Sequence, residues 1–199
     1  FPLDVVASHA VLVRLALRVS LHSTRSTPTK IVRVHRLQLG GFKIEKMVHG
    51  KSNSKVKKTI KIKMPKGAQL KVNVKYGELK FASNIDNLKA DLSHSKLIAN
   101  SINGSFTSIN ASYSPIFVTY WNLGTLNLNY VKNAEIDHAK SIMITSNSSD
   151  ITIKNLINNA IINGTIGDLK ILKIDNAFNN LNVTLDNSNA VIMLPKVDY

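Results

Sequence analysis

The residues able to act on a substrate are few and scattered. The six histidines stand at 9, 22, 35, 49, 94 and 138. His94 lies three positions after Asp91, and His138 directly follows Asp137, so either pair reads as a surface hydrogen bond. Neither has a third partner at metal-ligand spacing. Asp175-Asn176 and Asp186-Asn187 put oxygen ligands into turns, but the nonapeptide with which some β-rolls bind calcium is absent. There is no His-Glu-x-x-His, no Gly-x-Ser-x-Gly, no phosphate-binding loop and no dinucleotide glycine pattern. Polysaccharide cleavage wants carboxylates gathered on one face, or acids beside an Arg or Lys base. From residue 81 onward there is no Arg, and nine acids fall at irregular offsets. Cysteine is absent, which removes disulfides, thiolate metal sites and a cysteine nucleophile. The sequence therefore assigns no catalytic, cofactor or metal residue, names no binding residue, and reads as a non-enzyme without a cofactor.

One stretch concentrates aromatic side chains. Ser112-Tyr-Ser-Pro-Ile-Phe-Val-Thr-Tyr-Trp121 holds Tyr113, Phe117, Tyr120 and the only Trp. Strict alternation places Phe117 with Thr119 and Trp121 on one face and Val118 with Tyr120 on the other. Exposed, such rings could stack on sugars or on a partner. Packing inside a wide coil is the commoner use of aromatics and is the default expectation.

The elements that would carry these groups are short strands. Between Leu88 and Leu194 apolar runs start at 88, 106, 126, 143, 151, 169 and 181, in steps of 18, 20, 17, 8, 18 and 12. Leu, Ile and Val alternate with Asn, Thr or Lys, as in half-buried strands. Asn100-Ser-Ile-Asn-Gly104, Asn122-Leu-Gly124, Asn147-Ser-Ser-Asp150 and Asn163-Gly-Thr-Ile-Gly167 separate them. Asn and Gly accept positive φ, and Asn and Ser bond to nearby backbone, so these read as turns. Strands and tight corners repeating near 18 to 20 residues define an all-β fold, a single-stranded parallel β-solenoid. An antiparallel β-sandwich is the alternative with the same strand count. All 22 asparagines lie at or beyond Asn53, and stacked Asn side chains can bond along a ladder, which favours the solenoid. Sequons begin at Asn103, Asn110, Asn147, Asn163 and Asn182, a number expected by chance at this asparagine content.

Charge divides the chain. Residues 1–80 hold 18 Lys and Arg against three acids, whereas residues 81–199 hold eight Lys against nine acids. All five Arg lie between Arg14 and Arg36, in a segment without Asn. The change of composition marks residues 1–42 as poorly matched to the rest, either foreign to the domain or disordered. Arg14 and Arg18 interrupt the apolar residues there, so no secretory core of about 7–15 residues forms. Ser20 to Pro28 has linker composition, and Ile31–Val34 could form one isolated strand. No run approaches the roughly 20 apolar residues of a transmembrane helix.

Residues 43–82 read as lead-in strands and 83–199 as the repeats. Val56, Ile60, Ile62 and Met64 sit among Lys57, Lys58, Lys61 and Lys63. After a turn at Pro65-Lys-Gly67, Leu70, Val72, Val74 and Tyr76 alternate with Lys71, Asn73 and Lys75. Two such strands form a β-hairpin cap, whose lysines protect the open end of a solenoid from edge-to-edge pairing. The same lysines could attract nucleic acid or acidic lipid by salt-sensitive charge. Interleaved aromatics are sparse there, so capping ranks above nucleic-acid binding.

Residues 55–198 resemble a known group. Lys57-Lys-Thr-Ile-Lys-Ile-Lys-Met-Pro-Lys-Gly67, Tyr76-Gly-Glu-Leu79 and the closing Ala190-Val-Ile-Met-Leu-Pro195 are similar to bacterial adhesin-type β-solenoid domains of unknown function, frequent in Bacteroidetes envelope proteins. That resemblance implies a location in the cell envelope (periplasm, outer membrane or surface). It also implies interaction with a surface partner, protein or glycan, and it transfers no catalytic residue. The alternative function is an anionic-polymer module acting through the Lys-rich face 43–80.

Overall fold

In the computed structural model, residues 69–195 are described with their side chains, and four strands before them by their backbone alone. These four are β1 (Leu3–His9), β2 (Arg18–Ser20), β3 (Lys43–Ser52) and β4 (Lys55–Met64). The expected strand at Ile31–Val34, the turn at Pro65–Gly67 and the linker from 21 to Pro28 lie outside the described residues. Ten further strands complete the order: β5 (Gln69–Lys75), β6 (Gly77–Phe81), β7 (Ile85–Asp86), β8 (Leu88–Ser93) and β9 (Lys96–Asn103). Then come β10 (Ser108–Ser112), β11 (Ile116–Asn129), β12 (Ala134–Asn147), β13 (Ile151–Ile171) and β14 (Asn180–Ile192). From β5 onward the strands pair with one another only in parallel, each stacking on one a coil later. The expected solenoid is the fold, and no sandwich forms among the described residues.

The repeat is set by a corner. Tyr76, His94, Tyr113, Tyr130, Ser148, Ile166 and Asn187 all have φ between 48° and 57°. Their spacings are 18, 19, 17, 18, 18 and 21, more regular than the apolar runs alone suggest. Each turns the chain sharply, and N–H groups at these corners reach the coil above: Tyr76 donates to the Ser93 carbonyl and Tyr113 to that of Asn129, both at 3.0 Å. The residue after the corner completes the joint from inside. Ser95, Ser114 and Ser149 are buried, and each hydroxyl donates to the carbonyl two residues back, at 2.7–2.8 Å. The same hydroxyls accept N–H groups from the preceding coil: Gly77 to Ser95, Ser95 to Ser114 and Val131 to Ser149. A hydroxyl that both donates and accepts satisfies backbone groups the corner would otherwise bury unpaired.

Inside, equivalent positions stack. One column runs Val72, Ala90, Ile109, Leu126, Ile144, Ile162 and Val183, and all but the last are buried. A second corner lies at Thr119–Tyr120, where two successive side chains point outward. That double step overturns the simple alternation. Phe117 and Thr119 do share an outer face, but Trp121 is fully buried rather than on their side, and Val118 is buried while Tyr120 is exposed. The expected core role holds for Trp121 alone among the aromatics of this stretch.

The ends differ. β3 and β4 form an antiparallel pair, β1 lies between β4 and β6, and β2 pairs with β5, all antiparallel. A hairpin thus precedes the solenoid, but its strands are β3 and β4. The expected pairing of Val56–Met64 with Leu70–Tyr76 does not occur, because Gln69–Phe81 already belongs to the first coil, parallel to β8 and β9. At the other end β14 pairs with β13 only, and Leu181, Val183, Leu185 and Ile192 stay half-buried. No helix among the described residues is long and apolar enough to cross a membrane.

Candidate functional site

Three surfaces of the solenoid carry chemistry. On the broad face built from β5, β8, β10 and the later halves of β11 and β12, one outward column reads Asn73, Asp91, Asn110, Asn127, Thr145, Asn163 and Thr184. Neighbouring strands stand about 4.8 Å apart, close enough for these side chains to bond one another. Asn110 donates to the Asp91 carboxylate and Asn127 to the Asn110 amide oxygen, both at 2.8 Å. The ladder expected from the asparagine content is present over three coils, from Asp91 to Asn127.

The second surface is the corner. The rings of Tyr76, His94, Tyr113 and Tyr130 stack in succession, with centroids 5.1, 4.8 and 5.1 Å apart. Their faces are turned toward one another, so the ladder shows solvent mainly its edges. It braces the corner and offers no open ring face between its members.

The third surface is a shallow trough of about 520 Å³ on the face formed by β6, β9 and the starts of β11 and β12. Lys80, Ile98, Phe117 and Glu135 form one outward column. Asn100, Thr119, Asp137 and Lys154 line it further along. Ile98 and Phe117 make a half-buried apolar strip, and the Lys96 ammonium lies 4.9 Å from the centroid of the Phe117 ring. At one end Lys154 bridges two carboxylates, meeting Glu135 Oε1 and Asp137 Oδ1, the latter at 2.8 Å. Hydrogen bonds to Asp137, then to Glu135, hold the Lys154 amine well above the usual lysine range. The pair is open to water, so the bridge orients the carboxylates more than it stabilises the fold.

The structure separates the residues singled out by type. Asp91 binds Asn110 while His94 enters the ring stack, with its Nδ1 3.2 Å from Ser93 Oγ, so the two do not form a pair. Asp137 turns to Lys154, and His138 lies beside Asn155 and the Tyr120 ring. Asp175 caps its own turn by accepting the Ala177 N–H at 3.0 Å. No group of three His, Cys, Asp or Glu suited to a metal ion occurs among the described residues. The side chains of Lys43 to Lys63 lie outside them. Sequence reasoning missed the Glu135–Asp137–Lys154 group, although Glu-x-Asp puts both acids on one strand face. Applying the repeat length to charged residues would have placed Lys154, 17 positions after Asp137, beside them. Searches of family models, curated proteins and solved structures return no match.

Proposed function

We propose that the chain is a non-enzymatic, adhesin-type domain of the cell envelope, a rigid scaffold displaying a repeated polar surface to a partner. The observation that supports this most is the Asp91–Asn110–Asn127 ladder, continued by Thr145, Asn163 and Thr184. Side chains already ordered by one another lose little freedom when a partner arrives, which favours binding. Glu135 and Asp137 are both held by Lys154, an arrangement suited to recognition. The envelope location rests on the sequence resemblance. A second reading, capture of anionic polymer, draws on twelve lysines against two acids in residues 43–80.

An antibody to the chain, used on fractionated source cells, tests the first reading. We expect the protein in the envelope fraction, with binding to its partner persisting at raised salt. A wholly cytoplasmic pool overturns it. Partner binding that collapses with modest salt transfers the role to the lysine-rich strands.

A further inference from the structure

We propose that the trough over β6, β9, β11 and β12 is a binding subsite for a neutral pyranose glycan, an inference that rests on the adhesin-type reading and names its ligand class. A pyranose presents an apolar C–H patch and a rim of hydroxyls, and the trough presents the complement of both. Ile98 and Phe117 supply an apolar strip spanning two coils, and Lys96 pins the Phe117 ring from one side. Asn100 and Thr119 are short, exposed and polar, so they leave the floor open and offer both donors and acceptors. Glu135 and Asp137 keep lone pairs for hydroxyl hydrogens, since Lys154 takes only part of their capacity. The volume of about 520 Å³ is that of a site for a small ligand.

Charge selects among sugars. The trough lining sets Glu135 and Asp137 against Lys80 and Lys154, so it offers no excess positive charge to a polyuronate or sulfated chain, and Lys96, outside the lining, lies over the Phe117 ring. The Lys154 ammonium also stands where a cation would bridge the acids, so the carboxylates recognise hydroxyls directly.

The test is an array of immobilised neutral, uronate and sulfated oligosaccharides probed with the full chain at low and high salt. We expect retention on a neutral series that is indifferent to salt. Phe117→Ala should weaken it about tenfold. Thr119→Arg, at an exposed position, should block the trough without touching the core. Thermal unfolding checks that both variants fold, and if Phe117→Ala does not, Thr119→Arg decides. Met143→Ala, exposed on the other face and outside both the trough and the amide ladder, should bind as the parent does. Retention of no neutral glycan, retention unmoved by the folded variants, or salt-sensitive retention on uronate or sulfated chains alone overturns the proposal. An envelope protein that binds its partner but retains no glycan loses this subsite and keeps the adhesin-type reading. A cytoplasmic protein loses the reading itself.

Discussion

Replacing Gly167 by alanine should release the last coils from the solenoid. Gly167 has φ of +138°, a conformation that residues with a side chain rarely adopt. A Cβ there would sit 2.2 Å from the Ser149 carbonyl oxygen and 2.9 Å from its carbon. These are backbone atoms of the preceding coil and cannot swing aside. Ser149 is itself fixed, since its N–H donates to the Ile166 carbonyl at 3.1 Å and its buried hydroxyl joins Val131 to Asn147. Backbone strain costs about 1–3 kcal/mol, and overpacking about as much again. Losing one or two inter-coil bonds adds roughly 1 kcal/mol each. A total near 5 kcal/mol corresponds to a fall in Tm of about 10–20 °C for a chain of this size. Coils interact only with their neighbours, so the loss should be local. Hydrogen exchange should accelerate across 167–192 while the amides of β8 to β11 keep their protection. A Tm within about 2 °C of the parent, or exchange accelerated evenly along the solenoid, would refute the reasoning.

Other substitutions isolate single features. Trp121 is fully buried, and its indole N–H finds no acceptor. Trp121→Phe removes an unpaired donor as well as volume, so denaturant unfolding should show a change within about 1 kcal/mol, against about 3–5 kcal/mol for Trp121→Ala. Ser114→Ala deprives the Ser95 N–H of its acceptor and should cost about 1–3 kcal/mol, while Ser108→Ala, at the partly exposed start of β10, should be close to neutral by the same measurement. The Lys154 bridge predicts a pH profile. An amine raised by its partners contributes fully below the unfolded value of 10.5 and loses that contribution as pH rises through its higher folded value. The stability difference between the parent and Lys154→Met should therefore stay flat from neutral pH to about 9 and shrink only in strong alkali; a difference that disappears by about pH 9 would contradict the bridge.

The fold was legible because a stacked coil repeats its demands. Inward positions require aliphatics, and the stretches between the strands are rich in Asn, Gly and Ser, so the alternation and turn signals recur near one period. Phase was harder to read. The corner at Thr119–Tyr120 inserts two outward residues in succession, and no local propensity announces it, so strict alternation puts Trp121 on the wrong face. The aromatic corner was hidden differently: Tyr76, His94, Tyr113 and Tyr130 lie 17–19 residues apart and meet only when coils stack. Tyr is unusual at positive φ and holds three of the first four corners, so these carried little turn signature. The trough was illegible for the same reason, since its column takes Lys80, Ile98, Phe117 and Glu135 from four coils, one residue each.

Because the trough draws on these coils and not on the last ones, binding and terminal stability should separate. The trough ends at Lys154, in the coil between the corners at Ser148 and Ile166, whereas the Gly167 substitution weakens the attachment of the chain beyond it. Among the strands described with their side chains, β14 is the least buried, with no residue of its span fully buried. The coils from 167 to the end of β14 are therefore the first to fray, yet none of the groups that would touch a glycan depends on them directly. Gly167→Ala should keep its glycan retention through the temperature range in which its last coils exchange freely, and lose it only with the coil that holds Lys154. Loss of binding in step with the first fraying would mean that the terminal coils tension the whole face, and stability could no longer be treated as a sum over neighbouring coils.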